Sequence, residues 1–99
     1  MLQWPDKDPN EVLDYELDWA KPDRPRLEVG ETLITSDWSV VLGDVVIDPD
    51  NAATFTPQGL STVWLTSGTA GTKCELLNRV TTSKGRTYDQ TVVLRIKNH

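Results

Sequence analysis

One cysteine and one histidine are all that this 99-residue sequence has of the two most versatile metal ligands. The lone Cys74 excludes an internal disulfide, and so short a supply of both types excludes a Cys/His zinc site. The histidine is His99, the last residue, where chains usually fray. No imidazole is therefore expected beside a Ser, Thr or Cys nucleophile. No run approaches the roughly 20 apolar residues of a membrane helix. The opening Met-Leu-Gln-Trp-Pro-Asp lacks the basic and apolar segments of a secretory leader, so synthesis in a cytoplasm is expected.

Positive charge is also scarce. Fifteen acids stand against ten bases, a net charge of −5. A nucleic-acid groove needs clustered Lys and Arg to neutralise phosphates, and an anionic membrane surface asks for the same. The hydrophobic share is 37% and the charged share 25%, values of a soluble globular chain. Such a length is about one domain, with room for one two-layer core and little for a deep pocket.

The pattern along the chain is of period two. Leu13, Tyr15, Leu17 and Trp19 alternate with Asp14, Glu16 and Asp18, the signature of a half-buried strand over residues 12–19. Residues 20–30 form a proline-broken loop. Residues 31–41 are rich in Thr, Ile, Val and Trp and predict a second strand, with Ile34, Trp38 and Val40 sharing the core parity. Short strands follow at 45–47 and 54–56, separated by the Asp48-Pro49-Asp50-Asn51 turn. Residues 60–66 predict a strand with Val63 and Leu65 facing one way and Trp64 the other. Residues 73–83 and 87–97 predict a hairpin about Lys84-Gly85, the glycine supplying a positive φ. Cys74, Leu76 and Val80 share a face of the first strand, and Tyr88, Val92, Leu94 and Ile96 share a face of the second. The sum is an all-β fold, an immunoglobulin-like or fibronectin-III-like antiparallel β-sandwich of six to seven strands over residues 12–97.

Residues 1–11 differ. Pro5 and Pro9 forbid a helix and deny ladder hydrogen bonds, which predicts an extended N-terminal arm. Its one large apolar group, Trp4, must fold back on the domain or meet a partner.

Candidate chemistry is thin. Asp14, Glu16 and Asp18 read as a solvated face or an electrostatic docking surface. Asp48 to Asn51 offers oxygens suited to calcium but lacks the length and closing Glu of a dedicated loop. Gly68 to Thr72 lacks the Gly-Lys-Ser/Thr of a phosphate-cradling loop. Cys74 reads as a small buried hydrophobe. Arg79, Lys84 and Arg86 gather positive charge near the hairpin tip. No catalytic residue, metal site or cofactor is expected. Four tryptophans are the informative excess. Trp19 and Trp38 have core parity. Trp4 and Trp64 are candidates for an interface, where indole supplies large contact area and one polar N–H.

Several segments carry a family resemblance: LQWPDKDPNEVLDYELDWA (Leu2–Ala20), TLITSDWSV (Thr32–Val40), STVWLTSGTAGT (Ser61–Thr72) and LLNRVTTSKGRTYDQTVVLRIK (Leu76–Lys97). Together they resemble small tail proteins of tailed bacteriophages and prophages, of the fibre–tail adaptor type. The resemblance implies an immunoglobulin-like virion component without catalysis, at a tail or neck junction. Its partners would be tail, neck or fibre proteins, with no nucleic acid or membrane. The protein would be made in the bacterial host cytoplasm, and a homo-oligomer could form in the assembled particle.

The interface residues expected are Trp4, Pro5, Asp6, Trp64 and Arg86. In this reading the arm reaches a neighbouring subunit through Trp4, and many weak contacts add by avidity. A chain lacking residues 1–11 would then stay folded but fail to enter particles. The competing reading is a carbohydrate-binding β-sandwich that aids host-surface adsorption through an aromatic platform such as Trp64 with Tyr88.

Overall fold

The computed structural model describes residues 2–20 and 27–98. Lys21 to Arg26 of the proline-broken loop, and His99, lie outside the described residues. All seven expected strands are present, and the described residues hold no helix. They are β2 (Leu13–Asp18), β3 (Leu33–Leu42), β4 (Val45–Ile47), β5 (Thr54–Phe55), β6 (Leu60–Ser67), β7 (Lys73–Thr82) and β8 (Thr87–Arg95). An eighth, β1 (Leu2–Gln3), comes from the segment expected to be an arm.

The strands form two sheets. One has the order β1-β8-β7-β3; the other has β2-β6-β4, with β5 also pairing with β6. All pairs are antiparallel except β1 with β8. The alternation read from the sequence decides which faces meet. Tyr15, Leu17, Val63 and Leu65 of one sheet are buried against Cys74, Leu76, Val80, Val92 and Leu94 of the other. The β7–β8 turn brings the Thr82 N–H to the Arg86 carbonyl at 2.9 Å, and Gly85 takes the positive φ expected of it (76°). At the β3–β4 turn Gly43 has φ 92°, and a Cβ there would fall 2.5 Å from the Cys74 sulfur. Cys74 is thus buried under a turn that only glycine fits.

Ile34 departs from its expected parity. It is 56% exposed, while Leu33 before it is buried. The cause is a β-bulge: the register of β3 on β7 slips between Leu33 and Thr35, so the face changes there. Trp38 and Val40, beyond the bulge, pack against the core as expected.

The N-terminal segment is extended, but it is not a free arm. Leu2 and Gln3 pair with Val92 and Val93, and Lys7 bridges Ile96. Trp4 donates its backbone N–H to the Val93 carbonyl (2.9 Å). Its ring is buried, stacked on Tyr15 at 4.8 Å between centroids, with Trp38 at 5.5 Å. The prolines are compatible with this because only one side of an edge segment needs donors. Tyr15 donates its hydroxyl to the Pro5 carbonyl (3.3 Å). Burial pushes that phenol up to about 12, so it stays a donor at neutral pH.

Lys7 is fully buried. Its ammonium donates to the carbonyls of Asp8 (2.8 Å) and Ser67 (2.7 Å), the latter on a residue with φ 65°. Desolvation lowers the amine below its ordinary value, against the raising effect of Glu11 and Asp8. The segment therefore straps the end of β6 to the edge of β8.

Trp4→Ala is expected to cost about 3–5 kcal/mol, the usual loss for a truncated core aromatic. Urea unfolding of the variant and of a chain lacking residues 1–7 measures it. If the truncated chain unfolds at the wild-type midpoint, the strap contributes nothing to the fold.

A candidate docking face and the fate of the predicted site residues

The five residues expected at an interface do not share a surface. Trp4 is in the core. Pro5 beside it is exposed. Asp6 is half-buried and pairs with Lys97 at 3.3 Å, a contact across the strap. Arg86 sits at the hairpin tip, and Trp64 lies on the outer face of the second sheet.

Arg86 is engaged within the chain. One guanidinium nitrogen lies 3.0 Å from Glu28 and the other 3.2 Å from Glu31. Glu31 is buried and also accepts from the Thr82 hydroxyl (2.5 Å) and the Glu28 N–H (2.9 Å). Lys84 pairs with Glu28 at 2.9 Å, and Arg79 grips Asp89 through two bonds of 2.8 and 2.9 Å. All three cations near the hairpin tip are therefore matched by carboxylates, and the positive tip expected from the sequence is neutralised. The Thr82 hydroxyl, then the Glu28 N–H and the Arg86 charge, hold Glu31 below the ordinary carboxylate value. The Lys84 and Arg86 hydrogen bonds do the same for Glu28. Nothing in the sequence spacing marks Glu31, which lies 51 residues from Thr82.

Trp64 keeps the outward orientation expected of it. It is half-buried and faces Asp14 across the β2–β6 ladder. Val46 of β4 sits opposite the neighbouring Thr66, and Val12 precedes β2 at the same end; both are exposed. Asp14, Glu16 and Asp18 line the β2 edge, exposed and without an ion pair among the described residues. The face is thus apolar at Trp64 with carboxylates along one border.

Tyr88 does not join this face. It stacks on Trp19 with centroids 5.9 Å apart, on the inner side of the other sheet. The sugar platform expected of Trp64 with Tyr88 is therefore not formed, because residue 88 has the parity of Val92 and Leu94.

Asp48 is committed to its own turn, accepting from the Asp50 N–H (2.9 Å) and the Asn51 amide (2.8 Å). In the glycine loop, Thr69 donates its N–H (3.1 Å) and its hydroxyl to Asp44, so the carboxylate held there is the chain's own. No group of three or more His, Cys, Asp or Glu suited to a metal occurs among the described residues.

The family model described as podophage GP4 fiber-tail adaptor protein gp77 matches residues 7–95. The chain belongs to this family. The match runs from the buried Lys7 of the strap to the end of β8, so it spans both sheets. No curated protein matches the chain.

The carboxylate clamp sets a pH dependence. Glu28 and Glu31 are depressed in the folded state, so their stabilisation is present above about pH 4.5 and is lost as pH falls through the folded values. The exposed Glu28 contributes little because solvent screens it. Wild type and Glu31→Gln compared by urea midpoint should differ most at pH 7, with the gap closing as pH falls below about 4.5 and through the lowered folded value of Glu31. A constant gap across that range would remove Glu31 as the cause.

Proposed function

We propose that the protein is a non-enzymatic structural adaptor of a tailed-phage virion, joining tail or neck and fibre components through protein–protein contacts. The observation that carries this reading is the adaptor-family match over residues 7–95. The surface agrees with it. The three cations near the hairpin tip, Arg79, Lys84 and Arg86, are held in internal pairs, which favours a protein partner over nucleic acid. The outer face around Trp64 offers an aromatic anchor within an acidic border, a composition suited to a basic protein surface.

Of the residues expected at an interface, Trp64 is the one retained as a contact. Pro5 and Asp6 belong to the strap, where they support the fold. Trp4 and Arg86 act inside the chain.

The test is particle assembly. Host cells carrying a phage that lacks the gene are complemented with wild type or Trp64→Ala, and purified particles are assayed for the protein and for attached fibres. Wild type should appear in particles with fibres. Trp64→Ala should melt near wild type, because the ring is on an outer face, yet reduce incorporation about tenfold or more, as for a hot-spot aromatic. Wild type absent from particles would end the adaptor reading.

A further inference from the structure

The sandwich has two lateral sides, and among the described residues only one carries a strap. On the first, the N-terminal segment adds to β8, and its Trp4 enters between the sheets to donate to the Glu16 carbonyl of β2 at 3.1 Å. On the second, β3 ends its sheet. Its residues 34–42 make no main-chain to main-chain hydrogen bond beyond the β7 ladder among the described residues, although the Asp37 carbonyl accepts from the Asn78 side-chain amide at 3.1 Å. The neighbouring Leu33 N–H, by contrast, is met by the Pro57 carbonyl at 2.9 Å.

Exposed apolar side chains lie at both ends of the same strand and on the neighbouring β5. Ile34 (56%), Val41 (53%) and Leu42 belong to β3. Phe55 (38%) pairs with the buried Ser61, so it has core parity and is exposed only because it stands at the open side. Trp38 is half-buried. The bulges at the two ends of β3 leave Thr35–Val40 in unbroken register, a flat edge between irregular ends. Exposed flat edges with apolar flanks are templates for another strand.

We infer that the β3 edge takes up an extended segment of a different protein by strand addition. The added strand would alternate apolar residues, facing Trp38 and Phe55, with small polar ones beside Asp37. Main-chain bonds would supply affinity and the alternate side chains the selectivity. The strap on the opposite side shows that this sandwich can bind an extended segment with an inserted aromatic.

A second copy is a poor occupant. Opposed residues of paired strands lie on one face, so any antiparallel self-pairing centred on Ser36, Asp37 or Trp38 brings the two Asp37 side chains opposite each other or to the diagonal position. In-register parallel pairing also sets them side by side. Like charges so placed destabilise a pair. This inference rests on the adaptor reading only for where the partner is found.

Hydrogen exchange on the isolated protein and on purified particles tests it. Amides of Thr35–Val40 that face outward should exchange rapidly in isolation and slow by about tenfold or more in the particle, as a new ladder requires. Unchanged exchange, with the protein present in particles, overturns strand addition and leaves the adaptor reading intact. A protein missing from particles overturns the adaptor reading instead. Slowing that grows with concentration of the isolated protein would identify a second copy and overturn the choice of occupant.

Ser39→Pro and Val40→Pro give a second measurement. Consecutive residues point their N–H groups to opposite sides, so one proline breaks the β7 ladder and the other falls on the open edge. The variant that melts near wild type should enter particles about tenfold less, the ratio of a 1.4 kcal/mol loss. Its normal incorporation would overturn the proposal.

Discussion

A buried polar relay holds the two sheets to one another. The Trp19 indole donates to the side-chain amide oxygen of Asn78 at 2.9 Å. The Asn78 amide donates to the Ser36 hydroxyl at 2.9 Å and to the Asp37 carbonyl at 3.1 Å. Ser36 and Ser61 share a hydroxyl bond of 2.6 Å, and the Trp38 indole closes the chain on Ser61 at 3.1 Å. The relay crosses from the end of β2 to β7, along to β3 and back to β6. Hydrophobic burial pulls the sheets together but is indifferent to how they slide. Directional bonds anchored on the fully buried Asn78 and Ser61 are not, since a slipped sheet would strand either one at a cost of about 1–3 kcal/mol. No buried side-chain polar atom among the described residues lacks a partner, so the relay is complete.

Trp4 extends the same logic to the side of the sandwich. Its indole makes a fourth cross-sheet bond, from the strap to the Glu16 carbonyl. The strap thereby covers two edges at once, β8 through the main chain and β2 through one side chain. Lys7 completes it by tying the far end of β6. This treatment of one side makes the bare β3 side conspicuous, because the fold shows what a covered edge looks like.

Charge is distributed in two different ways. At the hairpin tip it is internal: Arg86 and Lys84 bind the 27–31 segment to the β7–β8 turn and are matched by Glu28 and Glu31. On the outer face of β2 it is unmatched within the described chain. Counting residue types gives a net charge of −5, but only the pairing shows where the excess acid is displayed. An adaptor with a polar relay inside and an acidic, aromatic face outside suits a part that is held by its neighbours.

Period-two alternation by itself determined the seven strands, the faces of β2, β6, β7 and β8, and the glycine turn, because those depend on neighbours in sequence. It also pointed Trp64 outward. The tertiary structure decided the rest. The bulge at Ile34 is set by pairing with β7, so parity counted along β3 alone fails there. The strap was legible as extended chain, but its attachment depends on the β8 edge some ninety residues away (Leu2 against Val92). Arg86 looked available because its carboxylate partners lie 55 and 58 residues off. Asn78, unremarkable in sequence, became the hub because its position on the inner face of β7 lies within reach of Trp19 and Ser36. Local periodicity fixes which way a side chain points; only the packed sheets fix what it meets.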